Sequence, residues 1–160
     1  MNISVLMDYD TDIAEQMGAL LKDLSSHYEG EPVRREVIED IIESPWHDII
    51  VMMDGEKLVA MASVSVIMGA LIDKNLYLED FVVSHEYQHQ GIGTKMFEAI
   101  MAWGQRKGCH RLEFTSSGKG KKAGAVKFYQ KMGAEIRDTN SFRIEPRRSS
   151  DLQRGYLVHV

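Results

Sequence analysis

Leu76-Tyr77-Leu78-Glu79-Asp80-Phe81-Val82-Val83, followed after a polar gap by Gln88-His89-Gln90-Gly91-Ile92-Gly93-Thr94, is the stretch on which the reading of this chain turns. The first segment is short, β-branched and aromatic, and is broken by two adjacent carboxylates; it predicts a half-buried strand ending beside a site. Ser84 to Gln90 is polar. Beyond it Ile92, Met96, Ala99, Ile100 and Trp103 recur at helical spacing until Gly108 ends the pattern. The glycines therefore stand at a helix start. The first turn of a helix leaves its N–H groups without internal partners at the positive end of the dipole, so glycines there let a polyanion approach bare backbone. The pattern predicts a phosphate cradle.

Two familiar cradles fail on residue identity. A dinucleotide fingerprint needs a third glycine where Met96 stands, and a nucleotide-triphosphate loop needs Ser or Thr after Gly-Lys, whereas Gly118-Lys119 is followed by Gly120. Gln88-His89-Gln90-Gly91-Ile92-Gly93 resembles instead the Gln/Arg-x-x-Gly-x-Gly/Ala signature of the GNAT superfamily of N-acetyltransferases, whose loop binds the pyrophosphate of coenzyme A. Leu78 to Val83 resembles the fourth strand of that family, and Lys127-Phe128-Tyr129-Gln130-Lys131-Met132-Gly133-Ala134 its later helix with a Phe-Tyr pair. The resemblance runs from Ile3 to Glu145 in element order. It implies an α/β (α+β) fold with a mixed, mostly antiparallel sheet of about six to seven strands flanked by about four helices. It also implies acetyl-CoA as co-substrate, held by Gln88, His89, Gln90, Gly91, Ile92, Gly93 and Thr94, with no metal.

The same resemblance assigns roles. Acetyl transfer to an amine needs a neutral nitrogen, a thioester beside it and a proton for the departing thiolate. Tyr129 is the expected acid, because a phenol with a pKa near 10 matches a thiolate in energy. Backbone amides around Phe81, Val82 and Val83, splayed by a bulge, are expected to polarise the thioester carbonyl. Strand alternation points Glu79 and Asp80 to opposite faces unless a bulge intervenes. Polyamine-type relatives also carry Glu-Asp-Phe, which favours Glu79 as base or amine-orienting carboxylate and Asp80 as structural. In this family the first two helices and their loop wall the acceptor site, which makes Tyr28, Glu29 and Glu31 candidate contacts. Many relatives carry Asn or Arg where this chain has Lys121-Lys122, and these lysines can meet a phosphate as point charges.

Two other readings stand beside this one. His85-Glu86-Tyr87-Gln88-His89 matches the zinc-hydrolase pattern His-Glu-x-x-His, which works only inside a helix; here a strand and two glycines bracket it. An acetyl-CoA-binding regulatory module without turnover would keep the fold and lose the reaction.

Composition sets the outer bounds. With 160 residues, 44% of them hydrophobic, the chain predicts one domain with a real core. No apolar run approaches the roughly 20 residues that span a bilayer. One cysteine, Cys109, excludes an internal disulfide, and the N-terminus lacks a secretory pattern, so the expected setting is the cytoplasm. The net charge of −5 is unevenly shared: residues 1–80 hold 5 basic and 17 acidic side chains, and residues 81–160 hold 14 and 7. A basic half beside a glycine cradle suits an anionic cofactor, and an acidic half suits a small-molecule amine. A net acidic chain without interleaved basic and aromatic residues does not predict a nucleic-acid partner.

The remaining pattern predicts a strand over Asn2 to Met7, a helix capped by Asp10 or Thr11, a second helix from Val33 to Glu43, and strands over Ile49 to Met53 and Lys57 to Met68 joined through Asp54-Gly55. A parallel strand follows at His110 to Thr115, then a short helix from Ala123, then a last hairpin of Ala134 to Arg137 and Ser141 to Glu145. Residues 1–146 are expected to form the catalytic domain. Residues 147–160, after Arg147-Arg148-Ser149-Ser150, read as an added strand, a homodimer arm or a cloning remnant.

Overall fold

The computed structural model describes residues 1–25, 27–116 and 123–144. Strand β1 (Asn2–Val5) leads to helix α1 (Thr11–Leu24), which Asp10 caps by accepting the Ile13 N–H at 2.9 Å. Helix α2 (Arg35–Glu43) follows, and then an antiparallel meander of β2 (His47–Asp54), β3 (Lys57–Gly69) and β4 (Asp73–Val83). Helix α3 (Ile92–Arg106) crosses to the short strand β5 (Leu112–Glu113), and α4 (Ala123–Lys131) ends the regular structure. Strand order is β1-β2-β3-β4-β5, antiparallel except for the β4–β5 pair.

Each helix covers a face for a reason visible in its sequence. Ile92, Met96, Ile100 and Trp103 of α3 lie against Ala60, Ala62, Val64, Val66, Leu76 and Leu78. On the opposite face Ala14, Met17 and Leu20 of α1 and Ile38 of α2 meet Ile49, Val51, Met61 and Val82. Strand β3 is thus covered on both sides, which is why its residues from Leu58 to Val66 are almost all buried. The Trp103 indole donates to the Asp48 carboxylate at 2.6 Å and ties the end of α3 to β2.

Several expectations need correction. The sheet has five strands among the described residues, fewer than six to seven. The expected strand His110 to Thr115 contracts to Leu112–Glu113. Residues 134–144 contain no strand; Ile136, Phe142 and Ile144 are 75%, 91% and 93% exposed, so the alternation there packs against no face among the described residues. Glu145, the Ser117 to Lys122 part of the lysine loop and residues 147–160 lie outside the described residues. Strand β4 starts at Asp73, three residues before the apolar run, because the β3–β4 hairpin continues to its tip. In the β2–β3 turn only Gly55 has positive φ (62°), since Asp54 still pairs with Lys57. Among the described residues no helix is long and apolar enough to cross a membrane.

Candidate active site

The site begins with a register shift. Ser63 pairs with Asp80 but Val64 pairs with Leu78, so Glu79 is an extra residue bulged out of β4. Regular alternation would turn Asp80 toward α3. With the bulge, Glu79 accepts a hydrogen bond from the Ser65 hydroxyl at 2.9 Å while Asp80 is bonded by Ser63, two residues away on the same face of β3. Both carboxylates therefore lie on the α1 side of the sheet, which corrects the expectation that they face opposite ways. They differ in setting. Glu79 is exposed, whereas Asp80 is half-buried and its pKa is raised, first by that burial and then by repulsion from Glu79.

Asp80 lines a cleft of about 410 Å³ with Leu21, Leu24, Ser25, His27 and Tyr28. The wall opposite the strand is held in place by backbone contact. A Cβ on Gly18 of α1 would lie 2.0 Å from the Glu31 carbonyl oxygen, so only glycine lets the loop sit this close. The Tyr28 hydroxyl donates to that same carbonyl at 2.7 Å, and the Val33 N–H donates to the Ala14 carbonyl at 3.0 Å. Of the loop residues singled out in the sequence, Tyr28 reaches the cleft; Glu29 and Glu31 are not part of its lining.

On the other side of β4 the strand outruns its neighbour. β5 pairs at Leu76↔Leu112 and Tyr77↔Glu113, so from Leu78 to Val83 every second backbone group of β4 points into a V that is open among the described residues. Aromatic rings fill its α3 side. Tyr129 has its ring centroid 4.4 Å from Phe114, beyond β5, and 6.5 Å from Phe81 on β4, and so bridges the two diverging strands. Phe128 and Phe97 complete the cluster. Burial raises the Tyr129 pKa above its ordinary value of 10.0, so the phenol keeps its proton across the neutral range. Val82 is buried on the α1 side, and Val83 is half-buried beside Gly93.

The glycine loop follows the end of β4. His85–Tyr87 forms a single 3-10 turn, Gln88 is extended, His89 has φ +60° and Gly91, in the left-handed region at φ +80°, caps α3. This backbone does not bring His85 and His89 onto one helical face, as the strand and glycines bracketing them predict, and so lacks the geometry a zinc-hydrolase motif needs. Among the described residues no three His, Cys, Asp or Glu are grouped to hold a metal. Gln88 donates to the Val83 carbonyl at 3.1 Å and Gln90 to the Glu86 carbonyl at 2.8 Å, so both side chains tie the loop to itself. Among the described residues no side chain caps α3, which leaves the Ile92, Gly93 and Thr94 N–H groups without a partner there. A Cβ on Gly91 would meet nothing within 4 Å, whereas one on Gly93 would lie 3.3 Å from the Phe128 ring. Gly91 thus fronts open space, and Gly93 also lets α4 pack. The loop's bare amides, left-handed residues and helix dipole fit an anion of pyrophosphate type.

The sequence does not by itself place Ser63, Ser65, Leu21, Leu24 or His27 at the site: Leu21 and Leu24 read as part of the apolar stripe of α1, and His27 as a residue of the polar loop after it. Ser63 and Ser65 did leave a signal: two hydroxyls at a spacing of two inside an apolar strand mark one wet face.

A family model described as the acetyltransferase (GNAT) family matches residues 15–134. The thialysine N-epsilon-acetyltransferase of Sus scrofa is 37% identical over 76 residues, covering 45% of this chain and 44% of that protein. The match thus spans less than half the length of this curated relative. Among solved structures, an aminoglycoside acetyltransferase from an uncultured soil metagenomic sample has a TM-score of 0.75 at 18% identity, covering 91% of this chain and 96% of that one. An aminoglycoside N-acetyltransferase in complex with CoA has a TM-score of 0.69 at 19% identity, covering 91% and 99%. At such identities these two show a shared fold.

Proposed function

Because the chain belongs to the GNAT acetyltransferase family, we propose that it moves the acetyl group of acetyl-CoA directly to a small primary amine. The observation that carries this reading is the place of Tyr129, bridging the diverging ends of β4 and β5 beside the uncapped start of α3. Acetyl-CoA supplies an activated acyl group. The loop from Gln88 to Thr94 holds its pyrophosphate, and free amides along Phe81 to Val83 draw charge from the thioester carbonyl. Glu79, exposed and fixed by Ser65, orients the amine and receives its proton directly or through water. As the C–N bond forms and the C–S bond breaks, Tyr129 gives its proton to the leaving sulfur. The curated relatives are named for the ε-nitrogen of thialysine, an amine on a side-chain arm, which lies within the proposed class.

The test is calorimetric binding of acetyl-CoA together with thiol release over a panel of amines. Wild-type protein should bind the coenzyme and release thiol with at least one amine. Gly91→Val, which sets a branched side chain at φ +80° on the edge of the cradle, should weaken coenzyme binding by tenfold or more, on the order of 1.4 kcal/mol. Equal affinity in the two proteins would remove the cradle from this loop. Coenzyme binding without thiol release from any amine would favour the regulatory module.

A further inference from the structure

We infer that Asp80 and the cleft beside it select the acceptor as a compact primary amine on a single apolar arm, with Asp80 holding the ammonium from the cleft side while Glu79 faces the same nitrogen, and Leu21, Leu24 and Tyr28 receiving the arm. This rests on the acetyltransferase reading and narrows its substrate. The cleft has the composition such a ligand needs. Three of its six described lining residues offer apolar or aromatic surface, and Asp80 is the one carboxylate among them. Asp80 is half-buried, has the Ser63 hydroxyl as a neutral partner and draws on no cation among the described residues, so an incoming ammonium would supply the missing countercharge. Burial, and then repulsion from Glu79, raise its pKa.

The volume and the wall also exclude. At about 410 Å³ the cleft lies near the low end of the roughly 300–1,000 Å³ range of ligand pockets, too small to enclose a three-ring amino sugar. A polyamine is slim enough to enter, but its second ammonium would lose water against Leu21 and Leu24, and Glu79, the nearest further carboxylate on this face, lies outside the cleft's described lining. The wall is also fixed in place: the Gly18 contact and the Tyr28 hydrogen bond hold the loop on α1 before any ligand arrives.

The experiment compares hexylamine, thialysine, spermidine and kanamycin as acceptors for wild type, Asp80→Asn and Leu24→Glu, with acetyl-CoA affinity measured separately on all three. Hexylamine, and thialysine with its zwitterionic end left in water beyond the arm, should lead spermidine and kanamycin in kcat/KM by about tenfold or more. Asp80→Asn should raise KM for the preferred amine about tenfold, with kcat changed less than threefold and coenzyme affinity unchanged. Leu24→Glu supplies a second carboxylate within the cleft lining and should move the preference toward spermidine, a gain that damage to the fold would not produce. A wild type that prefers kanamycin or spermidine, an Asp80→Asn enzyme with wild-type KM, or a Leu24→Glu enzyme with unchanged preference each overturns the inference while the acetyltransferase reading stands. Coenzyme binding with no acceptor in the panel also overturns it. Failure of wild type to bind acetyl-CoA removes both.

Discussion

The two faces of β4 carry opposite chemistries within a few residues of each other. Toward α3 the strand is dry: Phe81 meets Phe128 and Tyr129, and Val83 lies behind Gly93. Toward α1 the same residues' neighbours are Glu79 and Asp80, held by Ser65 and Ser63. A strand with unbroken alternation would have sent one of the two carboxylates into the aromatic cluster. The bulge at Glu79 prevents this, and for one extra residue it sets both carboxylates on the α1 side while leaving the other side packed. Chemistry that needs a wet face and a dry face at one point is thereby built on one strand.

The largest expected effect tests the dry face. In the proposed mechanism its one reactive atom is the Tyr129 hydroxyl, which adds little to packing because the rings of Phe81, Phe97, Phe114 and Phe128 make the contacts. Tyr129→Phe should therefore lower kcat by roughly 10²-fold while coenzyme affinity and Tm barely move. With Tyr129 held protonated by burial, an alkaline loss of kcat from this residue should appear only above pH 10.0. Near-wild-type kcat in Tyr129→Phe, with chemistry shown to limit the rate, would leave the dry face a purely packed wall.

The next effect tests how firmly the wet face is built. Gly18→Ala places a methyl 2.0 Å from a backbone oxygen, where no side chain can rotate aside, so the loop bearing Tyr28 must move. We expect about 1–3 kcal/mol of destabilisation by denaturant melts and a larger rise in amine KM than in acetyl-CoA Kd. If amine and coenzyme lose affinity equally, the wall is not specific to the acceptor side.

The two faces also differ in how far the sequence shows them. The glycine loop and the aromatic face depend on signals a few residues apart: glycines before a helical pattern, a polar gap after an apolar run, a Phe-Tyr pair near a terminal glycine. The Asp10 cap and the Asp54-Gly55 hairpin are local in the same way, and both appear where expected within a residue. The carboxylate face depends on register. That Glu79 is the extra residue follows from which β3 residues oppose β4, and pairing across a hairpin is not written in either strand alone. The cleft joins Leu21 and Tyr28 to Asp80, more than fifty positions away, which no local pattern foretells. The expected last hairpin failed for a related reason: alternation in Ile136, Phe142 and Ile144 makes strands only if a neighbour covers one face.

The smallest effect gives the sharpest contrast, because it asks Asp80 to be a liability to the fold. Its pKa is raised in the folded protein, so between its unfolded and folded pKa values the folded state holds a proton that the unfolded chain has lost. Asp80 therefore adds stability below its unfolded pKa, and that gain disappears as pH rises through the folded pKa. At neutral pH the ionised carboxylate is a net cost. Asp80→Asn keeps the size and the hydrogen bond to Ser63 without the charge, so it should melt slightly above wild type at pH 7, by less than about 1 kcal/mol for a side chain still partly open to water. The gap should close as the pH falls through the folded pKa and Asp80 takes up its proton. An acceptor amine should close it from the other direction, by raising the wild-type Tm and leaving that of Asp80→Asn nearly still, since only the carboxylate gains a countercharge. If Asp80→Asn melts below wild type at pH 7, Asp80 is a structural carboxylate, and the wet face would then present Glu79 as its one free charge.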